Sequence, residues 1–161
     1  MAGQKLNLAV FISGRGSNMN ALIAACRDYS FPAKVALVLS NNPDAAGLGT
    51  ARDNGIPALV VNHKDYATKT EFELAIQNAL RDYPIDLICL AGFMRLLSAD
   101  FIAKWPDKII NIHPSLLPAY KGLNTHERVL ADGAAETGCS VHFVRPEMDA
   151  GPLILQKKVA V

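Results

Sequence analysis

Asn111 and His113 are the residues whose types and spacing most invite chemistry. They stand one residue apart in the apolar run Ile109-Ile110-Asn111-Ile112-His113, which Pro114 closes. Side chains of a strand alternate between its faces, so both polar groups share one face while Ile110 and Ile112 take the other. Proline has no N–H for a ladder, which ends the strand at His113. An amide N–H can be aimed at a carbonyl oxygen that turns negative, and an imidazole exchanges protons near neutral pH. The competing reading is that a strand-end histidine only caps backbone groups.

A second group is Gly14-Arg15-Gly16-Ser17-Asn18. Free N–H groups at a helix start, backed by the helix dipole, bind anions, and glycine lets a phosphate approach the backbone. An ordinary tight strand-to-helix turn would use the same glycines. If a phosphate binds, its carrier is constrained. Met19 stands where a dinucleotide fingerprint has its third glycine, Asn41 and Asn42 stand where an acidic ribose ligand would fall, and no Gly-Lys-Ser/Thr ending is present. A phosphate monoester such as a sugar phosphate fits better than NAD or ATP. Asp149, in Met148-Asp149-Ala150-Gly151-Pro152, reads as a turn former or as a carboxylate that orients His113 and favours its imidazolium form. His63 and His126 read as loop or surface residues and His142 as structural. Phe93-Met94-Arg95-Leu96-Leu97 reads either as core or as a slot for a flat heterocycle. No Gly-x-Ser-x-Gly nucleophile elbow and no metal-type spacing occurs.

The elements that must position these groups alternate. Apolar runs predict strands over 6–12, 34–39, 58–62, 85–90 and 108–113. Helical spacing predicts helices over 19–26, 45–53, 70–81, 98–105 and 125–131, the first capped by Ser17 or Asn18. The clearest amphipathic face is Phe72, Ala75, Ile76, Ala79 and Leu80. Two last strands, 138–144 and 153–161, are joined by a link too short for a helical crossover, so they pair antiparallel. The class is α/β and Rossmann-like: a mainly parallel sheet flanked by helices on both faces, with an antiparallel C-terminal strand pair. Ligands of such sheets bind at the carboxyl ends of strands, where both polar groups fall.

Composition agrees with a single folded domain. The 161 residues are 50% hydrophobic with a net charge of +1, which offers no footprint for nucleic acid or an anionic membrane. The partner expected is a small molecule. Cys26, Cys89 and Cys139 lie apart in apolar stretches and read as buried, reduced thiols. Residues 1–5 lead straight into a strand without a leader pattern, so the expectation is a cytoplasmic protein.

Taken together, Gly14 to Asn18, Ala91-Gly92-Phe93-Met94-Arg95, Asn111 to Pro118, Ser140-Val141-His142-Phe143-Val144 and Asp149-Ala150-Gly151-Pro152 resemble the phosphoribosylglycinamide formyltransferases of the folate-dependent formyltransferase family, in the same order and over nearly the whole chain. The resemblance implies transfer of a formyl group from 10-formyltetrahydrofolate to the amine of glycinamide ribonucleotide, in de novo purine synthesis and without a metal. Carried over by position, Gly16, Ser17 and Asn18 hold the substrate phosphate. Lys69, Met94, Arg95, Leu96, Leu97, Asn111 and Arg145, Pro146, Glu147, Met148 and Asp149 bind the folate, and Asn111, His113 and Asp149 catalyse. Gly122-Leu123-Asn124-Thr125-His126 also resembles this enzyme rather than the related deformylase or the tRNA formyltransferase. The resemblance further implies one formyltransferase domain over 1–161, as a monomer or homodimer, that stops before the helical segment with which relatives continue. A truncated, non-catalytic phosphate- or folate-binding relative, or another folate-dependent formyltransferase or deformylase, is the alternative, and a general Rossmann-like oxidoreductase is the remaining option.

Overall fold

The computed structural model describes residues 3–161. The leader reading at Met1 and Ala2 lies outside the described residues. The chain groups into two units, Met1–Arg95 and Leu96–Val161.

In the first unit strands and helices alternate: β1 (Leu6–Ile12), α1 (Ser17–Cys26), β2 (Ala33–Ser40), α2 (Gly47–Asp53), β3 (Ala58–Val60), a 3-10 turn (His63–Asp65), α3 (Lys69–Leu80) and β4 (Leu87–Leu90). The strands run parallel in the order β3-β2-β1-β4. From Leu8 to Phe11 β1 is paired on both sides, which calls for apolar side chains there, and Ala9, Val10 and Phe11 supply them at 0% exposure. Order along the sheet reverses at β1 and β4, so the segments after their carboxyl ends, Ser13 onward and Ala91 onward, border a topological switch point. α3 begins at Lys69, one residue before the predicted start, because Thr68 and Glu71 form a reciprocal capping box. Its buried face is Phe72, Ile76 and Leu80, while Ala75 and Ala79 are half-buried.

The second unit holds α4 (Ala99–Ala103), β5 (Ile109–His113), α5 (Thr125–Ala131), β6 (Glu136–Phe143) and β7 (Leu153–Ala160). Ser98 caps α4 by accepting from Phe101 N–H at 3.1 Å. β6 pairs antiparallel with β7, as the short link requires, and also antiparallel with β5. The register sets Asn111 opposite His142 and His113 opposite Ser140, with Gln156 opposite Ser140 on the other side. The α/β, Rossmann-like class read from the sequence is the class of the structure: parallel strands with crossover helices, then antiparallel strands at the C-terminal end.

The expectation of three buried thiols holds for Cys89 alone. Cys26 and Cys139 are half-buried. Among the described residues no helix is long and apolar enough to cross a membrane.

Candidate functional site

Asn111, His113, His142 and Asp149 converge in the second unit. Asn111 and His142 face each other across the β5–β6 ladder, with Asn111 Nδ2 3.3 Å from His142 Nε2. His142 Nδ1 lies 3.0 Å from the Phe143 carbonyl oxygen, which can only accept, so Nδ1 carries a proton. In the tautomer with its single proton on Nδ1, the Nε2 lone pair accepts one Asn111 N–H. This fixes the Asn111 amide and leaves its second N–H for a ligand.

His113 is 6% exposed. Its Nε2 lies 2.8 Å from the Tyr120 carbonyl oxygen and its Nδ1 3.5 Å from Asp149 Oδ1. The Tyr120 carbonyl can only accept, so Nε2 donates to it, and the Asp149 carboxylate lies opposite Nδ1. Asp149 is as well enclosed, its side chain 8% exposed. Its Oδ1 also faces His142 Nε2 at 3.9 Å, and its Oδ2 accepts from Gly122 N–H at 2.9 Å. The backbone bends sharply to place it there, with Asp149 in the left-handed region at φ 53°. Two residues on, Gly151 passes so close to the Phe143 carbonyl that any Cβ would overlap it. The turn reading of Asp149 and its proximity to His113 are therefore both features of the structure.

The segment after His113 is held by buried hydroxyls. Ser140, 0% exposed, donates to the Ser115 carbonyl at 2.7 Å and accepts from Leu117 N–H at 3.0 Å and Gln156 Nε2 at 2.9 Å. Ser115 Oγ in turn donates to the Ala119 carbonyl at 2.6 Å, next to the Tyr120 carbonyl that His113 engages.

In the first unit the loop after β1 ends at Gly16, not at Ser17 or Asn18, as the cap of α1. Gly16 has φ 73°, and no side chain caps the helix. An L residue is strained at that φ, and an added Cβ would lie 2.9 Å from Met19 Cε. Ser17 and Asn18 occupy the exposed first turn, where helix N–H groups lack intrahelical acceptors, so this start can take an anion. Gly47 N–H braces the loop by donating to the Gly14 carbonyl at 3.1 Å.

The remaining residues fall as follows. Lys69 opens α3 and is exposed. Phe93 belongs to the core, edge-on to Phe11 at 5.4 Å. Met94 and Leu96 are 66% and 63% exposed, Arg95 is exposed and Leu97 is buried. Arg145 is committed within the second unit, pairing with Asp107 Oδ1 at 2.6 Å and donating to the Val144 carbonyl. Pro146, Glu147 and Met148 are exposed. Sequence reasoning missed His142 as a site residue. Its signals were its place on the same strand face as Ser140 and in the Ser140–Val144 block of the resemblance, while the register that turns that face toward Asn111 is not written locally.

Residues 6–161 match the family described as formyl transferase. The human trifunctional purine biosynthetic protein adenosine-3 is 50% identical over 158 residues, covering 98% of this chain and 16% of that protein. The phosphoribosylglycinamide formyltransferase of Haemophilus influenzae is 45% identical over 154 residues, covering 96% of this chain and 73% of the relative. The crystal structure of glycinamide ribonucleotide transformylase 1 from Symbiobacterium toebii superposes with a TM-score of 0.95 at 43% identity, covering 99% of this chain and 75% of that one. The chain thus spans 16% and 12% of the human and Drosophila melanogaster trifunctional proteins.

Proposed function

This chain belongs to the formyl transferase family, and on that premise we propose that it transfers a formyl group from 10-formyltetrahydrofolate to the amine of glycinamide ribonucleotide, as a cytoplasmic step of purine synthesis. The observation that carries the reading is one enclosed carboxylate facing two imidazoles, beside an asparagine with an N–H to spare. The names of the bacterial relatives support the choice of substrate. The match of one family over 6–161 supports treating both units as one formyltransferase domain.

The folate supplies the formyl carbon as an electrophile. The residues fit such a partner, since Met94 and Leu96 offer exposed apolar surface for a flat ring and Asn111 has an uncommitted donor. Arg95, Leu97, Lys69 and the 145–149 segment are the further folate contacts of the proposal.

Asn111 donates its second N–H to the charge that develops on the formyl oxygen. His113 adds the field of a buried cation, and Asp149 keeps the proton on Nδ1. Because Nε2 is held by the Tyr120 carbonyl, His113 can hand a proton to the reacting atoms only if that carbonyl gives way. The new C–N bond forms as the bond to the folate nitrogen breaks, and one proton passes from the attacking to the leaving nitrogen. His142 acts through Asn111 and is a positioning residue. Gly16, Ser17 and Asn18 hold the substrate phosphate at the open start of α1.

Calorimetry with glycinamide ribonucleotide and with tetrahydrofolate, beside a formyl-transfer assay, tests the reading. Both ligands bind and turnover occurs, and His113→Ala lowers turnover by roughly two to three orders of magnitude while both ligands still bind. Binding without turnover in the unaltered chain would instead mark a non-catalytic relative.

A further inference from the structure

Beside the phosphate loop lies a chain of polar groups to which the transfer chemistry assigns no task. Met94 N–H donates to Ser13 Oγ at 2.8 Å, and Ser13 Oγ lies 2.5 Å from Asn41 Oδ1. So short a distance suits a hydroxyl donor to an amide oxygen better than an amide N–H donor. The single Ser13 proton is thereby committed to Asn41, and a lone pair is left for Met94. Asn41 is 4% exposed and held from behind: its Nδ2 lies 3.2 Å from His63 Nδ1, which also sits 3.0 Å from the Asn41 carbonyl. The His63 ring packs edge-on to Phe72 of α3 at 6.3 Å.

The placement gives this chain its meaning. Ser13 follows β1 and Met94 follows β4, the two parallel neighbours at the switch point of the first unit. A side-chain hydroxyl from one strand end thus holds the backbone at the other, where β pairing has already stopped. Met94 N–H is therefore not available to a ligand, and what this residue can offer is its carbonyl and its exposed side chain.

We propose that Ser13 and Asn41 are positioning residues for the folate: they fix the backbone at Met94 and so the direction in which Met94 and Arg95 meet the ring. The inference rests on reading Met94 and its neighbours as the folate segment. The phosphate loop has independent anchors, since Asn42 Nδ2 donates to the Ser13 carbonyl at 3.4 Å and Gly47 N–H to the Gly14 carbonyl at 3.1 Å. Loss of the Ser13 hydroxyl should therefore separate the two ligands.

The test is calorimetry on the full chain with tetrahydrofolate and glycinamide ribonucleotide separately, together with hydrogen exchange at the Met94 amide. Ser13→Ala weakens tetrahydrofolate binding about three- to tenfold, the worth of one hydrogen bond. It leaves glycinamide ribonucleotide within about twofold and speeds Met94 exchange. Ser13→Thr, which keeps the hydroxyl, restores both readings. Unchanged tetrahydrofolate affinity in Ser13→Ala overturns the inference alone, as does equal weakening of both ligands, which would mark general loosening. An unaltered chain that binds no tetrahydrofolate overturns the folate reading and this inference with it.

Discussion

Asp149→Asn isolates charge from shape. Asparagine tolerates the left-handed backbone that Asp149 adopts at φ 53°, so the turn survives the exchange. What changes is that one of the two oxygens becomes an NH₂ group. The negative charge is lost in either orientation: an NH₂ that faces Gly122 N–H opposes a donor, and one that faces the histidines turns a donor toward His113 Nδ1. Either way a buried mismatch remains, worth about 1–3 kcal/mol of stability.

The catalytic loss is larger. At the observed 3.5 Å a carboxylate and an imidazolium attract by about 5 kcal/mol at an effective dielectric of about 20. Desolvation of the two charges offsets part of that. A residual of about 3–4 kcal/mol corresponds to a 10²–10³-fold fall in turnover, at about 1.4 kcal/mol per tenfold. Steady-state formyl transfer measures kcat, and calorimetry shows whether glycinamide ribonucleotide still binds, as it should. A variant that keeps kcat within about threefold of the parent, with a normal melt, would refute the role given to this carboxylate.

Ser140→Ala removes a hydroxyl with three partners in a site of 0% exposure, leaving Leu117 N–H without its acceptor; a loss of about 1–3 kcal/mol and a melting point lower by roughly 3–10 °C are expected by calorimetry. Burial, with a smaller contribution from Cys26, pushes the Cys89 thiol from its ordinary 9.0 up to about 12. In the native protein at pH 8 a thiol reagent should reach Cys139 well before Cys89, whose labelling should wait for unfolding. Because the folded state keeps a proton that the unfolded chain releases above about pH 9, this group also makes denaturant stability fall as pH rises from there toward 12.

The parts of this fold that announce themselves locally were legible in the sequence. β1 reads as buried because every residue from Leu8 on is apolar, and that pattern is what pairing on both sides demands. The loop from Gly14 to Asn18 was legible as glycines before a helix, but not which residue begins the helix, since Gly16 takes the cap position by adopting a positive φ that no side-chain preference foretells. Thr68-x-x-Glu71 did carry a start signal for α3, and the hydrophobic face alone placed that start one residue late. His142 escaped for a different reason. Its role depends on being opposite Asn111 across two strands separated by a helix and a long loop, and register is a property of the assembled sheet. The antiparallel pairing of β5 with β6 was invisible on the same ground, whereas the short link between β6 and β7 dictated theirs.

The middle strand of the second unit therefore works as a ruler. Along β6, Ser140 serves His113's row and the loop beyond it, and two residues later His142 serves Asn111 and Asp149. A single residue inserted or deleted before Ser140 would turn the hydroxyl and the imidazole to the opposite face and bring their neighbours in their place. Substitutions along this strand can fail one at a time, but a change of length would disconnect both rows at once. Length variation among functional sequences of this unit should then collect at the α5–β6 turn around Gly133, beyond the reach of the ruler.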